Sequence, residues 1–277
     1  MEKIRRVERV AALTKLLVDS PQELIPLKCF CEYFGIAKST LSEDLTSVKK
    51  SMAHFGLGTI ETIPGISGGV RFIPYRRGIQ AEEILSDVGT RLSDSNRLLP
   101  GGFIYMSDIL FDWHAASRLG EIIMSRFEAA KPDYIMTVET KGIPLAVMVA
   151  RAFNRTLVIA RRDSKVTEGS SININYVSGS SRRIRTMSLP KRAIPAGARV
   201  LLVDDFMKAG GTAKGMSELV AETGGQVVGV GVLLATTEPM PKLVKSYEPL
   251  FLLRRIDEER GAIDIEAVYD AHRGESE

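Results

Sequence analysis

The stretch Arg199-Val200-Leu201-Leu202-Val203-Asp204-Asp205-Phe206-Met207-Lys208-Ala209-Gly210-Gly211-Thr212 decides how this chain is read. An apolar strand, Arg199 to Val203, ends in two adjacent carboxylates, and a loop of small residues opens directly into a helix from Thr212 to Glu222. At the carboxyl end of a parallel strand such a loop faces the ligand crevice. Backbone N–H groups from Ala209 to Thr212 then converge on a phosphate, helped by the helix N-terminus and the Thr212 hydroxyl. Asp204 and Asp205 need partners that donate, and the vicinal hydroxyls of a ribose fit. One phosphate and two hydroxyls at this spacing describe a ribose 5-phosphate. A Gly-Gly-Thr turn alone is more often a capped helix start; strand, acid pair, loop and helix together favour the ligand.

Outward from this stretch, strand and helix patterns alternate. Strands are expected at Tyr134 to Val138, Thr156 to Ala160 and Val227 to Leu234, a helix at Ile143 to Phe153, and a hairpin at Ser170 to Val177 with Ile184 to Ser188. This alternation makes the larger part of the chain α/β, with a mostly parallel sheet flanked by helices. A second loop, Thr137-Val138-Glu139-Thr140-Lys141-Gly142-Ile143-Pro144, also follows a strand and opens a helix.

Both loops resemble those of the type I phosphoribosyltransferases. The first matches the family's signature for phosphoribosyl pyrophosphate (PRPP): hydrophobic strand, two acids, then a Thr/Gly-rich loop. The resemblance implies that Asp204 and Asp205 hold the ribose and Ala209 to Thr212 the 5-phosphate, with Phe206, Met207 and Lys208 also counted among the PRPP-binding residues. Thr140, Lys141 and Gly142 stand where the family keeps its pyrophosphate loop, and Arg161 and Lys165 are further diphosphate candidates. Lys208 and Ala209 depart from the small polar residues that the enzymes usually carry, which argues for binding over transfer. Lys165 to Lys191, including the cationic run Val177-Ser178-Gly179-Ser180-Ser181-Arg182-Arg183, corresponds to the loop that covers PRPP in the enzymes.

The first quarter reads differently. Ile4, Val7, Val10, Leu13, Leu16 and Leu17 fall at helical spacing and stop at Asp19-Ser20-Pro21. A second helix runs from Leu27 to Phe34 and ends at Gly35; a third runs from about Ala37 to Phe55, with Leu41, Leu45, Val48, Met52 and Phe55 on one face. Thr59 to Ile63 and Val70 to Ile73 flank a Gly-rich turn and read as a hairpin. Three helices and a hairpin make a winged helix-turn-helix. From Met1 to Arg77 the chain carries 12 Lys and Arg against 8 Asp and Glu, whereas the other 200 residues carry 25 against 26. The positive excess therefore sits where DNA would be met. Lys38, Ser39, Thr40, Ser42 and Lys49 on the third helix, Arg71 on the wing, and Arg5 and Arg6 on the first helix are the candidate DNA contacts.

A chain of 277 residues with 44% hydrophobic and 26% charged residues suits two soluble domains. The boundary is placed at Pro74, giving residues 1–74 and 75–277, with Ala81 to Leu92 as a linking helix broken by Leu99-Pro100-Gly101-Gly102. Met1 to Arg9 lacks an apolar signal core, and the longest uncharged apolar run, Val227 to Thr237, is too short to cross a bilayer. A cytoplasmic location without a membrane partner is expected. Cys29 and Cys31, two apart on a helix, suit neither a disulfide nor a metal centre, and no metal site is assigned.

A winged helix followed by this α/β domain resembles, over essentially the whole chain, the purine operon repressor family of Gram-positive bacteria. The supporting stretches are Glu23-Leu24-Ile25-Pro26-Leu27, Lys38-Ser39-Thr40-Leu41-Ser42-Glu43-Asp44-Leu45, Leu99-Pro100-Gly101-Gly102, Lys165-Val166-Thr167-Glu168-Gly169-Ser170 and the two loops above. The resemblance implies a homodimeric transcriptional repressor of purine biosynthesis genes that binds double-stranded operator DNA. PRPP, with Mg²⁺, would be the inducer that releases DNA, and purine nucleotides such as the guanosine alarmone ppGpp would compete for the pocket. The fold would then be a sensor rather than an enzyme, with no catalytic residue or catalytic cofactor. The alternative is an active purine phosphoribosyltransferase with an accessory DNA-binding domain, which needs a base-recognition group that does not stand out here. A third reading, an interaction protein with a vestigial pocket, is opposed by the intact acid pair and glycine loop.

Overall fold

Apolar residues at helical spacing build α1 (Arg6–Asp19), whose Leu13 and Leu17 are fully buried. Helix α2 (Leu27–Phe34) stops at Gly35, which takes φ +64°, a left-handed conformation that glycine adopts without steric cost. Helix α3 (Lys38–His54) turns Leu41, Leu45, Val48 and Met52 inward. Phe55, expected on that face, is 66% exposed, because the helix ends at His54 and the next side chain leaves the helical register. Strands β1 (Thr59–Ile63) and β2 (Gly69–Ile73) pair antiparallel, Thr59 opposite Ile73 and Ile63 opposite Gly69. Ile60, Val70 and Phe72 close one core with Leu13, Leu17, Phe30, Phe34 and the buried face of α3. This is a winged helix-turn-helix with the hairpin as its wing. The computed structural model describes residues 4–65, 67–162, 169–177 and 184–269. It divides into two units, Met1–Arg76 with Arg151–Asn154, and Arg77–Ala150 with Arg155–Glu277.

Helix α4 (Gly78–Leu92) is more than a linker. Ala81, Leu85, Val88 and Leu92 are buried, so the helix belongs to the core of the second unit. It ends before the Pro-Gly-Gly run, which instead turns a small hairpin of β3 (Leu98–Leu99) and β4 (Phe103–Ile104). Arg97 fixes the hairpin with a forked pair to Asp108 at 2.6 and 2.7 Å and a bond to the Tyr105 carbonyl at 3.0 Å. Two unanticipated helices follow, α5 (Ser107–Leu110) and α6 (Trp113–Arg126); the Asp112 carboxylate caps α6 by accepting the His114 N–H at 3.0 Å.

Then come β5 (Tyr134–Val138), α7 (Ile143–Phe153), β6 (Thr156–Ala160), the hairpin β7 (Ser171–Val177) with β8 (Ile184–Pro190), β9 (Arg199–Met207), α8 (Gly211–Glu222) and β10 (Gln226–Thr236). Strands β11 (Glu248–Asp257) and β12 (Ala262–Ala267) close the chain. One six-stranded sheet has the order β12-β11-β10-β9-β5-β6, parallel throughout except where β12 runs against β11. Val200, Leu201, Leu202 and Val203 have no exposure at all, as the unbroken apolar run of a strand covered on both faces requires. The expected end of β9 is corrected. The strand continues past Val203 to Met207 because β10 runs alongside it, with Asp204 opposite Val232 and Met207 opposite Ala235. Both acids therefore sit within the ladder, on backbone that the sheet holds still. Among the described residues no helix is long and apolar enough to cross a membrane.

Candidate functional site

Asp204 is 4% exposed near the carboxyl end of β9, and one of its oxygens accepts the Asp205 N–H at 3.0 Å. Burial pushes the Asp204 carboxyl well above the usual range, and the neighbouring Asp205 charge adds to this. Burial raises Asp205 as well, but a hydrogen bond with Asp204, backbone N–H groups and the Lys141 charge all oppose the rise. Two carboxyls this close do not ionise independently, and burial disfavours charging both at once.

The Thr140-Lys141-Gly142 loop lies beside the acid pair, with Gly142 packed against Asp204 and Asp205. Gly142 makes this approach possible. A methyl group added there would lie 2.6 Å from Thr137 Oγ1, and 3.6 Å from both Asp204 Oδ1 and the Asp205 nitrogen. Thr140 and Lys141 are exposed, and the Glu139–Thr140 peptide is cis. The Glu139 carboxylate accepts the Arg162 N–H at 2.8 Å, tying this loop to the end of β6. There Arg161 is half-buried and exchanges backbone hydrogen bonds with Ser188. Lys165 and residues 178–183 lie outside the described residues.

Past the acids, Phe206 and Ala209 are half-buried and Lys208 is exposed. Met207 departs from the expected set: its side chain is 2% exposed within the core with Met216 and Leu219, so only its backbone is available. Gly210 takes φ +82°, a turn that suits glycine, and α8 starts at Gly211 with Thr212 half-buried in its first turn. The loop's N–H groups thus stand at the end of a twelve-residue helix.

In the N-terminal unit Lys38, Ser39, Ser42 and Lys49 are exposed on α3, and Thr40 is half-buried. The Ser42 hydroxyl donates to the Lys38 carbonyl at 2.9 Å, so its proton is already engaged within the helix. Arg5, also exposed, is the N-cap of α1. Arg6 and Arg71 are less free than their charge suggests. Arg6 donates to Asp44 at 3.2 Å and Ser47 at 2.9 Å, and Arg71 donates to Glu61 across the hairpin at 2.6 Å.

Several residues that matter went unread in the sequence. Thr137 is fully buried in β5 and its hydroxyl has no hydrogen-bond partner among the described residues. Lys242 is 8% exposed, and its ammonium donates to the Lys208 carbonyl. A lysine just after Pro241 in a connecting segment carries no signal of burial. Asp44, read as a polar residue of a recognition helix, is fully buried against Arg9.

Comparison with known proteins agrees with this two-part arrangement. Residues 5–74 match the family model "Bacterial purine repressor, N-terminal", and residues 107–269 match "Phosphoribosyl transferase domain". The purine biosynthesis transcriptional repressor PurR of Bacillus subtilis (strain 168) is 46% identical over 264 residues, covering 95% of this chain and 93% of the relative. The purine biosynthesis transcriptional activator PurR of Lactococcus lactis subsp. lactis (strain IL1403) is 40% identical, covering 95% and 97%. In fold, adenine phosphoribosyltransferase from Thermoanaerobacter pseudethanolicus superposes with a TM-score of 0.53 at 22% identity, over 61% of this chain and 98% of the enzyme. With both domains matched in order and relatives this similar end to end, the chain belongs to the bacterial purine repressor family.

Proposed function

We propose that this protein is a cytoplasmic, homodimeric repressor of purine biosynthesis genes that binds operator DNA through its winged helix and leaves it when PRPP fills the second unit. The observation that carries the reading is the close approach of Gly142 to Asp204 and Asp205, which supports a diphosphate loop working beside a ribose-holding pair. Asp204 and Asp205 take the ribose hydroxyls, the N–H groups of Ala209 to Thr212 take the 5-phosphate, and Lys141 with Arg161 meets the diphosphate, which enters with its Mg²⁺. Purine nucleotides such as guanosine alarmones share the phosphate chemistry and compete for the same space. Lys38 and Lys49 neutralise DNA phosphates, while Ser39, Thr40 and Ser42 face the groove.

The PurR of Lactococcus lactis is described as an activator, so the sign of control needs its own measurement. Operator binding and transcription from a purine promoter are followed while PRPP is titrated, beside a turnover assay with adenine, guanine, hypoxanthine and xanthine. Release of operator, relief of repression and no nucleotide product are expected. Steady nucleotide synthesis would favour the enzyme, and PRPP-stimulated transcription without DNA release would favour the activator.

A further inference from the structure

The phosphate loop is held from behind. Lys242 Nζ donates to the Lys208 carbonyl at 2.5 Å, the Thr236 carbonyl at 2.7 Å and the Thr236 hydroxyl at 3.2 Å. The Thr236 hydroxyl, closest to the Glu238 carbonyl, also lies 3.2 Å from the Lys208 carbonyl. One residue on, the Leu243 N–H donates to the Ala209 carbonyl at 2.9 Å. Two successive carbonyls of the loop are thus pinned by the segment that follows β10. A trans peptide is planar, and its C=O and N–H point in opposite directions. Pinning the Lys208 and Ala209 carbonyls on one side therefore turns the Ala209 and Gly210 N–H groups toward the other. The same segment limits the loop's movement: a methyl group on Gly210 would lie 3.4 Å from the Leu243 nitrogen and 3.5 Å from the Val244 side chain.

We infer that Lys242 is a positioning residue, whose buried ammonium, together with Thr236 and Leu243, sets the orientation of the phosphate-binding N–H groups without touching the ligand. Its environment is unusual for a lysine. It is 8% exposed and its three acceptors are two carbonyls and a hydroxyl, with no carboxylate among them. Burial lowers its pKa and the Glu238 charge opposes that. An ammonium kept in such a place, where an apolar side chain would avoid the desolvation cost, is explained by the direction it imposes on the loop.

The inference rests on the ligand reading above, and the test separates the two. Ribose 5-phosphate and inorganic pyrophosphate are titrated separately into the full-length protein by calorimetry, for wild type, Lys242→Met and Thr236→Val. Lys242→Met should weaken ribose 5-phosphate by about ten- to a hundredfold, the factor that accompanies one lost hydrogen bond to a charged group. Pyrophosphate, held by the other loop, should change by less than about twofold, and operator binding without effector should not change. Thr236→Val, a smaller perturbation of the same carbonyl, should show the same split at smaller amplitude and decides the matter if Lys242→Met does not fold. Equal weakening of both probes would make Lys242 merely structural and overturn the inference, as would no weakening of either. Wild-type protein that binds neither probe would overturn the pocket assignment itself.

Discussion

Arg9 Nε lies 2.6 Å from Asp44 Oδ2, with the two side chains only 9% and 1% exposed, so the first helix and the recognition helix are joined by an ion pair inside the winged domain. Arg6 holds the other Asp44 oxygen from the surface at 3.2 Å. Taking away the carboxylate would leave the Arg9 guanidinium buried and unpaired, which typically costs about 3–5 kcal/mol. Ordinary domains are stable by only about 5–15 kcal/mol. Asp44→Ala should therefore lower the urea midpoint of the N-terminal unit and abolish operator binding, while ribose 5-phosphate binding by the second unit persists. Unchanged operator affinity would show that the pair does not set the recognition helix.

Gly142, in the proposed diphosphate loop, packs against the acid pair. In Gly142→Ala the new methyl would meet Thr137 Oγ1 at 2.6 Å, well inside contact distance, so the loop must shift. Such overpacking costs about 1–3 kcal/mol. Pyrophosphate affinity should fall about tenfold, the equivalent of roughly 1.4 kcal/mol. Removing the obstructing hydroxyl should restore part of it, so Gly142→Ala with Thr137→Ala should bind more tightly than Gly142→Ala alone. A double-mutant cycle with no coupling would place the clash elsewhere.

The N-terminal unit should carry all DNA affinity, and that affinity should depend steeply on salt. If a dimer neutralises about six to ten phosphates, binding falls about 10³–10⁵-fold between roughly 50 and 200 mM salt. Lys38→Ala or Lys49→Ala should flatten the slope and weaken all sequences alike, since both side chains are exposed on α3. Arg71→Ala should do less, because Glu61 already holds that guanidinium. A slope unaffected by either lysine would move the interface to another face.

The winged helix and the two strand–loop–helix turns, β5 to α7 and β9 to α8, were legible because their signals are local. Gly35 ends α2 where expected, and the run Val200 to Val203 is buried as its composition demands. What escaped depends on neighbours distant in sequence. Strand β9 reaches Met207 only because β10 accompanies it. Nothing around Lys242 in the sequence foretells that it lies under Lys208, and Asp44 looks like any polar residue until Arg9 is beside it.

Asp204 should make the empty protein less stable as pH rises. Its folded pKa lies above the ordinary carboxylate value, so the folded state holds a proton that the unfolded chain has released. Over the window from about pH 4 up to the raised pKa, the unfolded state binds fewer protons and stability falls with increasing pH. Asp204→Asn removes the titration. Its melting temperature at neutral pH should exceed wild type, by about 2–4 °C for each kcal/mol relieved in a domain of this size, and should be flatter with pH. The gain should come with weakened ribose 5-phosphate binding, because the amide cannot supply the second charged acceptor. A wild-type melting curve that rises between pH 5 and 8 would contradict the assignment.

Asp205 tests the switch itself. It is the more accessible of the two acids, the Lys141 charge acts on it, and the proposed reading has it take a ribose hydroxyl. Losing a charge-assisted hydrogen bond costs about 1.5–3 kcal/mol, roughly ten- to a hundredfold in affinity. Asp205→Ala should therefore bind operator as wild type does and need ten- to a hundredfold more PRPP to leave it; in cells the outcome is repression that purine shortage fails to relieve. A ligand shifts an equilibrium only by its differential affinity, so PRPP must bind the DNA-free protein better than the DNA-bound one. Linkage then requires operator DNA to weaken PRPP binding by the same factor that PRPP weakens operator binding. Titrating PRPP with and without operator, for wild type and Asp205→Ala, measures both sides of this cycle. A mutant that leaves DNA at the wild-type PRPP concentration would place the ribose elsewhere. A wild-type PRPP affinity indifferent to operator would mean that PRPP does not act by releasing DNA, whatever it binds.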